Sequence, residues 1–501
     1  MSHFPNTVIL IDELRDAWAH EPRNHRYALG IIAIVGLVAR TVHLAQPFRY
    51  DEAVTYMYFA RLDWADALST YTYPNNHLFH TALAKASVSI FGLSPVTLRL
   101  PAFLAGIALP LSTYAMARAL YGARTALLAS GFVAASGALI LYSTNARGYT
   151  MIAFAFTLLT LSAVRASRDG NRGDWLVFAG IAVLGLWTIP VMLYPLGTVA
   201  FWFLLNALVE KRHQELRSLW MALALSGVAT IALYAPVVSR EGLSALTRNS
   251  FVAPVGWFAF LGDLRDTWEM ALSSWSLGIP PLLGVVLLLC GAFAIARHGA
   301  LSRFPVGMPV AALVWCSWLL VVNHRAPFAR VWLWLVPLAA ALAAAGLLML
   351  LRRSRITSVW AEGRASWLAV ALTVGMTTSV VASRAVFRST DTGTYTDAAL
   401  AAERLAELLQ PGDRVLATIP TNAPLMFHMH RRALDLRHLS LDVRQANRII
   451  VIVDAREGQR LDRVTARSVV RDTTRFTAPE VVARFPSSIL VMFRRRDVPA
   501  S

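Results

Sequence analysis

The chain alternates long runs of apolar residues with short polar segments, and most runs have the length of a membrane-spanning helix. A helix needs roughly 20 mostly apolar residues to cross the hydrocarbon core of a bilayer. The pattern therefore predicts an α-helical, polytopic membrane protein with eleven spans. These spans are expected at residues 27–46, 98–118, 125–143, 149–165, 175–190, 191–209, 218–238, 280–296, 304–322, 331–350 and 365–387.

Three further segments show helical spacing of apolar residues, but we do not expect them to cross the membrane. Residues 6–20 are too acidic for a signal peptide and predict a short amphipathic helix. Residues 78–92 are apolar but short and contain Lys85, so we expect a helix at the membrane interface. Residues 239–279 include an amphipathic stretch that would lie on the outer leaflet, where it could cover a pocket.

The composition excludes an ordinary soluble enzyme. Apolar residues make up 56% of the 501 residues and charged residues 15%, whereas a soluble protein carries about 25% charged residues. The 47 Lys and Arg against 30 Asp and Glu give a net charge of +17. Such a charge by itself favours a nucleic-acid partner.

The distribution of this charge changes that interpretation. Lys and Arg concentrate in short loops on alternate sides of the predicted spans, which is the positive-inside signal that orients membrane proteins. The positive charge therefore mainly determines the orientation of the protein in the membrane. We expect membrane lipids, and not nucleic acid, as its partners. Counting residues 78–92 as a span would break the alternation. The signal places residues 1–26 in the cytoplasm and residues 388–501 outside it.

The chain then divides into three parts. Residues 1–26 form a cytoplasmic amphipathic terminus, residues 27–387 a transmembrane domain with outer loops 47–97 and 239–279, and residues 388–501 an extracytoplasmic domain. In this last part, helical spacing at 397–409 and β-rich runs at 414–419, 448–454 and 488–493 predict a small α/β domain. We expect it to be a cap without chemistry of its own.

An adjacent pair of acids, Asp51 and Glu52, follows the first span in the motif FRYDEAVTY. Two interpretations of the pair are open. A carboxylate at the end of a membrane helix, away from bulk water, is suited to general-base catalysis. Alternatively, the acids cap the N-terminus of the helix that follows.

His77, His80 and Lys85 come later in the same loop. The two histidines are three residues apart and could face the same way on a helix. With Asp51 or Glu52 a site for a divalent metal ion is conceivable, although no dense ligand motif supports it. Lys85 could bind a phosphate at headgroup depth or simply extend its ammonium toward the interface.

Arginines recur at the outer ends of the predicted spans. An ionisable residue at such a position is costly unless it is paired or functional, so these side chains could form a pocket for an anion. Anchoring to lipid headgroups is the alternative. Nearby aromatic residues could form an interfacial belt or stack on sugar rings. The residues are Arg99, Arg147, Arg325, Arg330, Tyr50, Tyr56, Tyr58, Trp64, Tyr71, Tyr73 and Tyr149.

Six motifs, taken in order over residues 28–350, resemble the GT-C superfamily of membrane glycosyltransferases. The nearest branch includes the protein O-mannosyltransferases and the lipid A aminoarabinose transferases. The motifs are RYDEA, YPNNHLFHTALAK, GLSPVTLRLPAFLAG, ALYGARTALLAS, LYSTNARGYTM and RAPFARVWLWLVPLAA.

The resemblance implies the GT-C fold and the transfer of a sugar from a polyprenyl-phosphate donor to an acceptor hydroxyl, with inversion at the anomeric carbon. It implies that Asp51 is the catalytic base, with Glu52 beside it. It also implies a multi-pass protein of the bacterial inner membrane with a periplasmic site. Residues expected to bind the lipid phosphate or the sugar are Lys85, Arg99, Arg147, Arg330, His77, Tyr50 and Tyr73.

One departure from the family pattern concerns the turn before the interfacial helix. Family members often have His-Pro-Pro there, whereas this chain has Pro74-Asn75-Asn76-His77. The role of His77 is therefore open, and so is a metal site made by Asp51, Glu52 and His77.

A glycosyltransferase is the leading hypothesis, and a transporter or flippase for a lipid-linked glycan is the alternative. A transporter should show internal repeats and polar or broken helices at mid-membrane, whereas the polar residues here lie at the outer boundary. A membrane subunit without catalysis is a third class. The sequence does not specify the sugar, and the acceptor could be a lipid, a glycan or a protein.

Overall fold

Each of the eleven predicted spans contains a helix in a computed structural model of the protein, which describes residues 9–73, 75–169, 172–247, 253–353, 364–443, 445–466 and 475–496. The helices in these regions are Arg23–His43, Pro95–Tyr121, Ala123–Ala135, Gly137–Ser143, Tyr149–Asp169, Arg172–Thr188, Leu193–Val209, His213–Glu241, Pro281–Ala296, Met308–Asn323, Val336–Arg353 and Arg364–Ala382.

Seven helices in the described parts of the chain are long and apolar enough to cross a membrane, or eight if one bent pair counts as a single span. Pro281–Ala296 and Met308–Asn323 are apolar but shorter, and Arg172–Thr188 has 17 residues. The class of multi-pass membrane protein is therefore confirmed, and the count of eleven spans stays a prediction.

The bent pair consists of Ala123–Ala135 and Gly137–Ser143, which meet at an angle of 60°. A break within a membrane helix leaves carbonyl oxygens that need new donors. Arg40, fully buried, supplies them: its Nη1 donates to the carbonyl of Ala134 at 3.0 Å and its Nη2 to that of Val133 at 3.3 Å. One arginine therefore stabilises the break.

The N-terminal amphipathic helix is present as Ile9–His20, while residues 6–8 of the predicted segment lie outside the described residues. Its acids face an arginine near the end of another helix. Arg118 Nη1 lies 2.8 Å from Asp16 Oδ2 and 3.5 Å from Glu13 Oε2. These ion pairs attach the helix to the membrane-spanning part of the chain.

The second outer loop also contains the predicted amphipathic helix, Trp257–Trp275. Arg265 Nε donates to Glu269 Oε1 on its exposed face at 2.8 Å. Residues 248–252 of this loop lie outside the described residues. A covering role for the helix stays a prediction.

The chain forms two compact units, and parts of the first outer loop belong to each. We call them the helical unit and the α/β unit. The helical unit consists of Met1–Ala45, Leu68–Ala84 and Arg99–Phe387, and the α/β unit of Gln46–Ala67, Lys85–Leu98 and Arg388–Ser501. Asp51 and Lys85 thus fall in the same unit as the C-terminal residues.

The α/β unit is built on a four-stranded sheet in the order β1-β2-β4-β3. β1 pairs with β2 in parallel, and the other two pairings are antiparallel. Alternate residues of β2 enter the apolar clusters on the two faces of the sheet, Ile450 on one and Ile449 on the other. The strands are β1 Arg414–Leu416, β2 Arg448–Asp454, β3 Glu480–Arg484 and β4 Ser488–Arg494.

Three helices accompany this sheet: Ala398–Leu408, Asn422–Arg431 and Leu461–Ala466. The small C-terminal α/β fold is therefore confirmed. The first of these helices and β2 lie where the sequence pattern predicts them. β1 ends at Leu416, three residues before the end of the predicted run.

Asp454, at the end of β2, is expected to make the α/β unit more stable in mild acid. Burial, and then the nearby Glu457 and Asp397, raises the pKa of the Asp454 carboxyl. A raised pKa in the folded state contributes stability below the unfolded pKa, and this contribution is lost as the pH rises through the folded value. Asp454→Asn should flatten that dependence.

The measurement is hydrogen exchange of β2 and β4 in the full-length protein across pH, corrected for intrinsic rates. The exposed Asp63→Asn, in the same unit, is the matched control and should retain the wild-type pH dependence. An unchanged pH dependence of protection in Asp454→Asn would contradict the prediction.

Candidate functional site

The acidic pair lies in the first turn of a short helix, Tyr50–Thr55, in the α/β unit. Glu52 is fully buried, and its Oε2 accepts a hydrogen bond from the backbone N–H of Arg49 at 2.9 Å. This is the reciprocal bond of a capping box, which satisfies a donor at a helix start. Glu52 therefore performs the capping role that the sequence left open for the pair.

Asp51 is positioned by its own backbone. Its N–H donates to the carbonyl of Thr392 at 3.4 Å, and its carbonyl accepts from Thr55 Oγ1 at 2.9 Å. The side chain is 9% exposed. Since Glu52 caps the helix, the Asp51 carboxylate is not needed for that bond. Its catalytic role stays a prediction.

An aromatic group surrounds this short helix within the α/β unit. The Phe48 and Phe427 rings lie 4.1 Å apart, and Tyr56 meets Phe427 edge-on at 5.5 Å. Tyr56 Oη lies 3.4 Å from Nε2 of His430. Burial, and then Arg61, lowers the pKa of His430, so its imidazole is neutral at pH 7. Sequence reasoning missed His430, for which the only signal is the motif MFHMH.

Lys85 also belongs to the α/β unit, on the helix Leu78–Phe91. Its Nζ donates to the carbonyl of Ala60 at 3.3 Å and to that of Leu62, and it lies 5.3 Å from the centre of the Trp64 ring. Lys85 thus stabilises the end of the turn that follows the acidic helix. Binding of a phosphate by Lys85 stays a prediction.

The helical unit contains a separate, buried cationic group centred on Arg147. Arg147 Nη1 donates to the carbonyl of Asn75 at 2.6 Å, and Nη2 lies 2.9 Å from Nε2 of His77. Both Arg147 and His77 are almost completely buried. The structure therefore brings together two residues that the sequence places 70 positions apart.

His77 meets hydrogen-bond donors at both ring nitrogens. The backbone N–H of Gly148 donates to Nδ1 at 2.8 Å, so Nε2 carries the proton of the neutral ring. The protonated Nε2 and Arg147 Nη2, 2.9 Å apart, are then both donors and do not bond to each other. Burial, and then Arg147, lowers the pKa of His77 well below its ordinary value. An anionic oxygen would accept from both donors.

Arg330 joins this group through Tyr149. Its Nε donates to Tyr149 Oη at 3.1 Å, and the guanidinium carbons of Arg330 and Arg147 each lie 5.8 Å from the Tyr149 ring centre. The His77 ring contacts the same tyrosine at 5.0 Å. Two of the arginines predicted to face an anion are therefore arranged around one ring. We call His77, Arg147, Tyr149 and Arg330 the arginine cluster.

Two hydrogen bonds of Asn76 order the turn before the interfacial helix. Asn76 Nδ2 donates to the carbonyl of Thr70 at 2.8 Å, and its Oδ1 accepts from Thr81 Oγ1 at 2.7 Å. Pro74 lies outside the described residues. Asn76 therefore orders the turn that presents His77 to the cluster.

His80 is fully buried one helical turn after His77. Neither of its ring nitrogens has a hydrogen-bond partner within the described residues. Burial, and then Arg147, lowers the pKa of His80 to about 3. It therefore adds a neutral donor and acceptor near the arginine cluster.

The other predicted residues are placed as follows. Arg99 is fully buried, and its Nη1 donates to the carbonyl of Leu44 at 2.5 Å, just after the end of the first membrane helix. A cation at a helix C-terminus is favourable. Tyr50 lies on the acidic helix, Tyr73 is exposed at the turn before Asn76, and Arg325 is half-buried. Their binding roles stay predictions.

A metal site made by Asp51, Glu52 and His77 stays a prediction. Among the residues that the structure describes, no three His, Cys, Asp or Glu side chains come together as metal ligands. Asp51 and Glu52 belong to the α/β unit and His77 to the helical unit.

Comparison with known proteins finds similarity in part of the sequence and in the fold. Residues 76–239, about a third of the chain, match the family model of dolichyl-phosphate-mannose-protein mannosyltransferases. No curated protein matches the sequence significantly. The matched stretch contains His77, Lys85, Arg99 and Arg147.

The structure is similar to that of ArnT from Cupriavidus metallidurans, solved in the apo state and bound to undecaprenyl phosphate. The TM-scores are 0.57 and 0.56 at 16% identity, and each match covers 92% of this chain and 97% of that one. These findings confirm the resemblance to the GT-C superfamily of membrane glycosyltransferases, and the fold is the GT-C fold.

Proposed function

We propose that this protein transfers a sugar from a polyprenyl-phosphate-linked donor to an acceptor hydroxyl at the outer face of the bacterial inner membrane, with inversion at the anomeric carbon. The GT-C fold supports a membrane glycosyltransferase, and the structurally similar ArnT binds undecaprenyl phosphate. The match to the mannosyltransferase family model covers His77, Arg147 and Tyr149 of the arginine cluster and ends before Arg330.

The arrangement of His77 and Arg147 is the observation that carries the proposal. Two adjacent donors on buried side chains suit an anion that is held by hydrogen bonds as well as by charge. Arg330, connected through Tyr149, adds a second guanidinium to the same group. A phosphate diester fits this site, because it must be bound in the donor and stabilised as it leaves.

The reaction has one bond formed and one broken. The acceptor oxygen attacks the anomeric carbon from the face opposite the phosphate and forms the new glycosidic bond. The bond between the anomeric carbon and the phosphate oxygen breaks with its electron pair, so polyprenyl phosphate leaves. Asp51 accepts the proton of the acceptor hydroxyl. The cations stabilise the charge that develops on the leaving phosphate.

The remaining residues have supporting roles in this proposal. Glu52 caps the helix that carries Asp51, and Lys85 and Arg99 contribute charge toward the lipid phosphate. Tyr50 and Tyr73 contact the donor sugar. The contacts of Glu52 and Arg99 support structural contributions as well, since both side chains hold backbone groups at helix ends.

Turnover of the purified protein in proteoliposomes tests the proposal. The donors are polyprenyl phosphates carrying a panel of pentoses and hexoses, and the acceptors are a glycolipid, a polysaccharide and a protein fraction. We expect free polyprenyl phosphate to appear in the same amount as the glycosylated acceptor. A transporter would instead move the lipid-linked sugar between leaflets without releasing polyprenyl phosphate.

The orientation is tested with right-side-out and inside-out membrane vesicles. A water-soluble acceptor that cannot cross the membrane should be glycosylated only when it has access to the outer face. Release of polyprenyl phosphate with none of the donors, from protein that still binds them, would contradict the function. Glycosylation only in inside-out vesicles would contradict the orientation.

A further inference from the structure

We propose that Arg49 is a positioning residue for the general base, and that residues 389–394, the anchor segment, hold the acidic helix where Asp51 can act. The inference rests on the proposed function, because it takes Asp51 as the base. It gives the C-terminal residues a part in catalysis instead of the role of a cap without chemistry.

Arg49 is completely buried and connects the anchor segment to the residues before the helix. Its Nη1 donates to the carbonyls of Ser389 and Asp391 at 2.9 and 2.6 Å, while its Nε and Nη2 donate to Gln46 Oε1 at 3.0 and 2.9 Å. A guanidinium is planar, so these bonds fix its direction as well as its distance. These bonds therefore fix the position of Arg49, two residues before Asp51.

The anchor segment also caps the helix through its own backbone. The first N–H groups of a helix have no partner inside it and need acceptors from elsewhere. Tyr50 N–H donates to the carbonyl of Gly393 at 3.1 Å, and Asp51 N–H donates to that of Thr392 at 3.4 Å. The anchor segment therefore supplies the hydrogen-bond acceptors for the first turn of the acidic helix.

The close approach of these backbones requires a glycine. Gly393 has φ +71°, and a Cβ on it would lie 2.7 Å from Pro420 Cβ and 3.0 Å from Tyr50 Cβ. Thr394 Oγ1 then donates to Glu457 Oε1 at 2.7 Å, after the last strand residue of β2. The anchor segment is thus tied to the sheet on one side and to the acidic helix on the other.

Placement of this kind matters for a base because proton transfer requires hydrogen-bond distance to the acceptor hydroxyl. A displacement of about 1 Å can cost on the order of a hundredfold in rate. Binding of the lipid phosphate, which we assign to other residues, does not depend on that placement. Loss of the anchor should therefore lower kcat and leave donor binding unchanged.

Arg49→Ala tests this separation in the full-length protein. We expect kcat to fall by about tenfold to a hundredfold, with KM for the donor and affinity for polyprenyl phosphate unchanged. Hydrogen exchange should become faster in peptides that cover residues 46–56. Arg49→Lys keeps donors for the two carbonyls and should recover part of kcat. Arg437→Ala, an exposed arginine of the same unit, is the matched control.

Wild-type kcat in Arg49→Ala would overturn the inference, as would a fall in donor affinity that accounts for the whole loss. If Arg49→Ala does not fold, Gly393→Ala replaces it, because the added methyl presses on Tyr50 without removing a charge. A folded Gly393→Ala protein with wild-type kcat would equally overturn it. Failure of the proposed function is distinct, since the wild-type protein would then release polyprenyl phosphate from none of the donors. Wild-type turnover in Asp51→Asn would instead refute the assignment of the base.

Discussion

Replacing Asp51 with Asn is expected to lower kcat for sugar transfer by about 10²–10⁴-fold, the usual contribution of a positioned general base. Asn keeps the size and the backbone bonds of Asp51, but its amide cannot accept the proton of the acceptor hydroxyl. The measurement is release of polyprenyl phosphate at saturating donor and acceptor. The variant should still express, bind polyprenyl phosphate and unfold at the wild-type temperature.

Glu52→Gln is the matched control for this prediction. A glutamine Oε1 can still accept from the Arg49 N–H, so the cap is retained and the charge is lost. We expect turnover close to that of the wild type. Wild-type turnover in Asp51→Asn would contradict the assignment of the base, and a selective loss in folded Glu52→Gln would move the base to Glu52.

Replacing Arg147 with Ala should have the second large effect, a loss of about 10²–10³-fold in kcat/KM for the donor, comparable to removing one preorganised donor from a transition-state site. The change removes a buried guanidinium that touches His77, Asn75 and the Tyr149 ring. Both donor binding and departure of the phosphate should suffer. The affinity for polyprenyl phosphate in detergent measures the first effect, and kcat measures the second.

Two variants make this test specific. Arg147→Lys keeps the positive charge but not the planar pair of donors, so it should recover only part of the affinity. Arg217→Ala removes an exposed arginine of the helical unit and should behave as wild type. Unchanged affinity and kcat/KM in Arg147→Ala would refute a phosphate site at the arginine cluster.

The membrane helices could be predicted because each coincides with a long run of apolar residues in the sequence. Apolar runs of suitable length leave few alternatives in a membrane, since every backbone group must be bonded within the segment. The strand Arg448–Asp454 was predictable for a similar reason, because RIIVIVD is a short apolar run rich in β-branched residues. Contacts between residues that are far apart in the sequence leave no such local pattern.

The parts of the site that were not predicted depend on distant partners. Arg49 was not singled out, because its acceptors are carbonyl groups 340 and 342 positions away. Any sequence can supply a carbonyl. The edge strand β3 was missed because its residues are half-exposed and lack clear alternation. The division of the first outer loop between the two units also depends on tertiary packing, which no local sequence motif indicates.

Arg40 sets an order of assembly during synthesis of the protein. It lies near the end of the first membrane helix. Ala134, whose carbonyl it binds, is synthesised 94 residues later. At a synthesis rate of about 5–20 residues per second, that interval lasts roughly 5–20 s. Until then the acceptor that Arg40 has within its own helix is the carbonyl of Gly36, and its long side chain can extend toward the headgroups. The hydrogen bonds of Arg40 are therefore complete only when the bent pair lies beside the first helix.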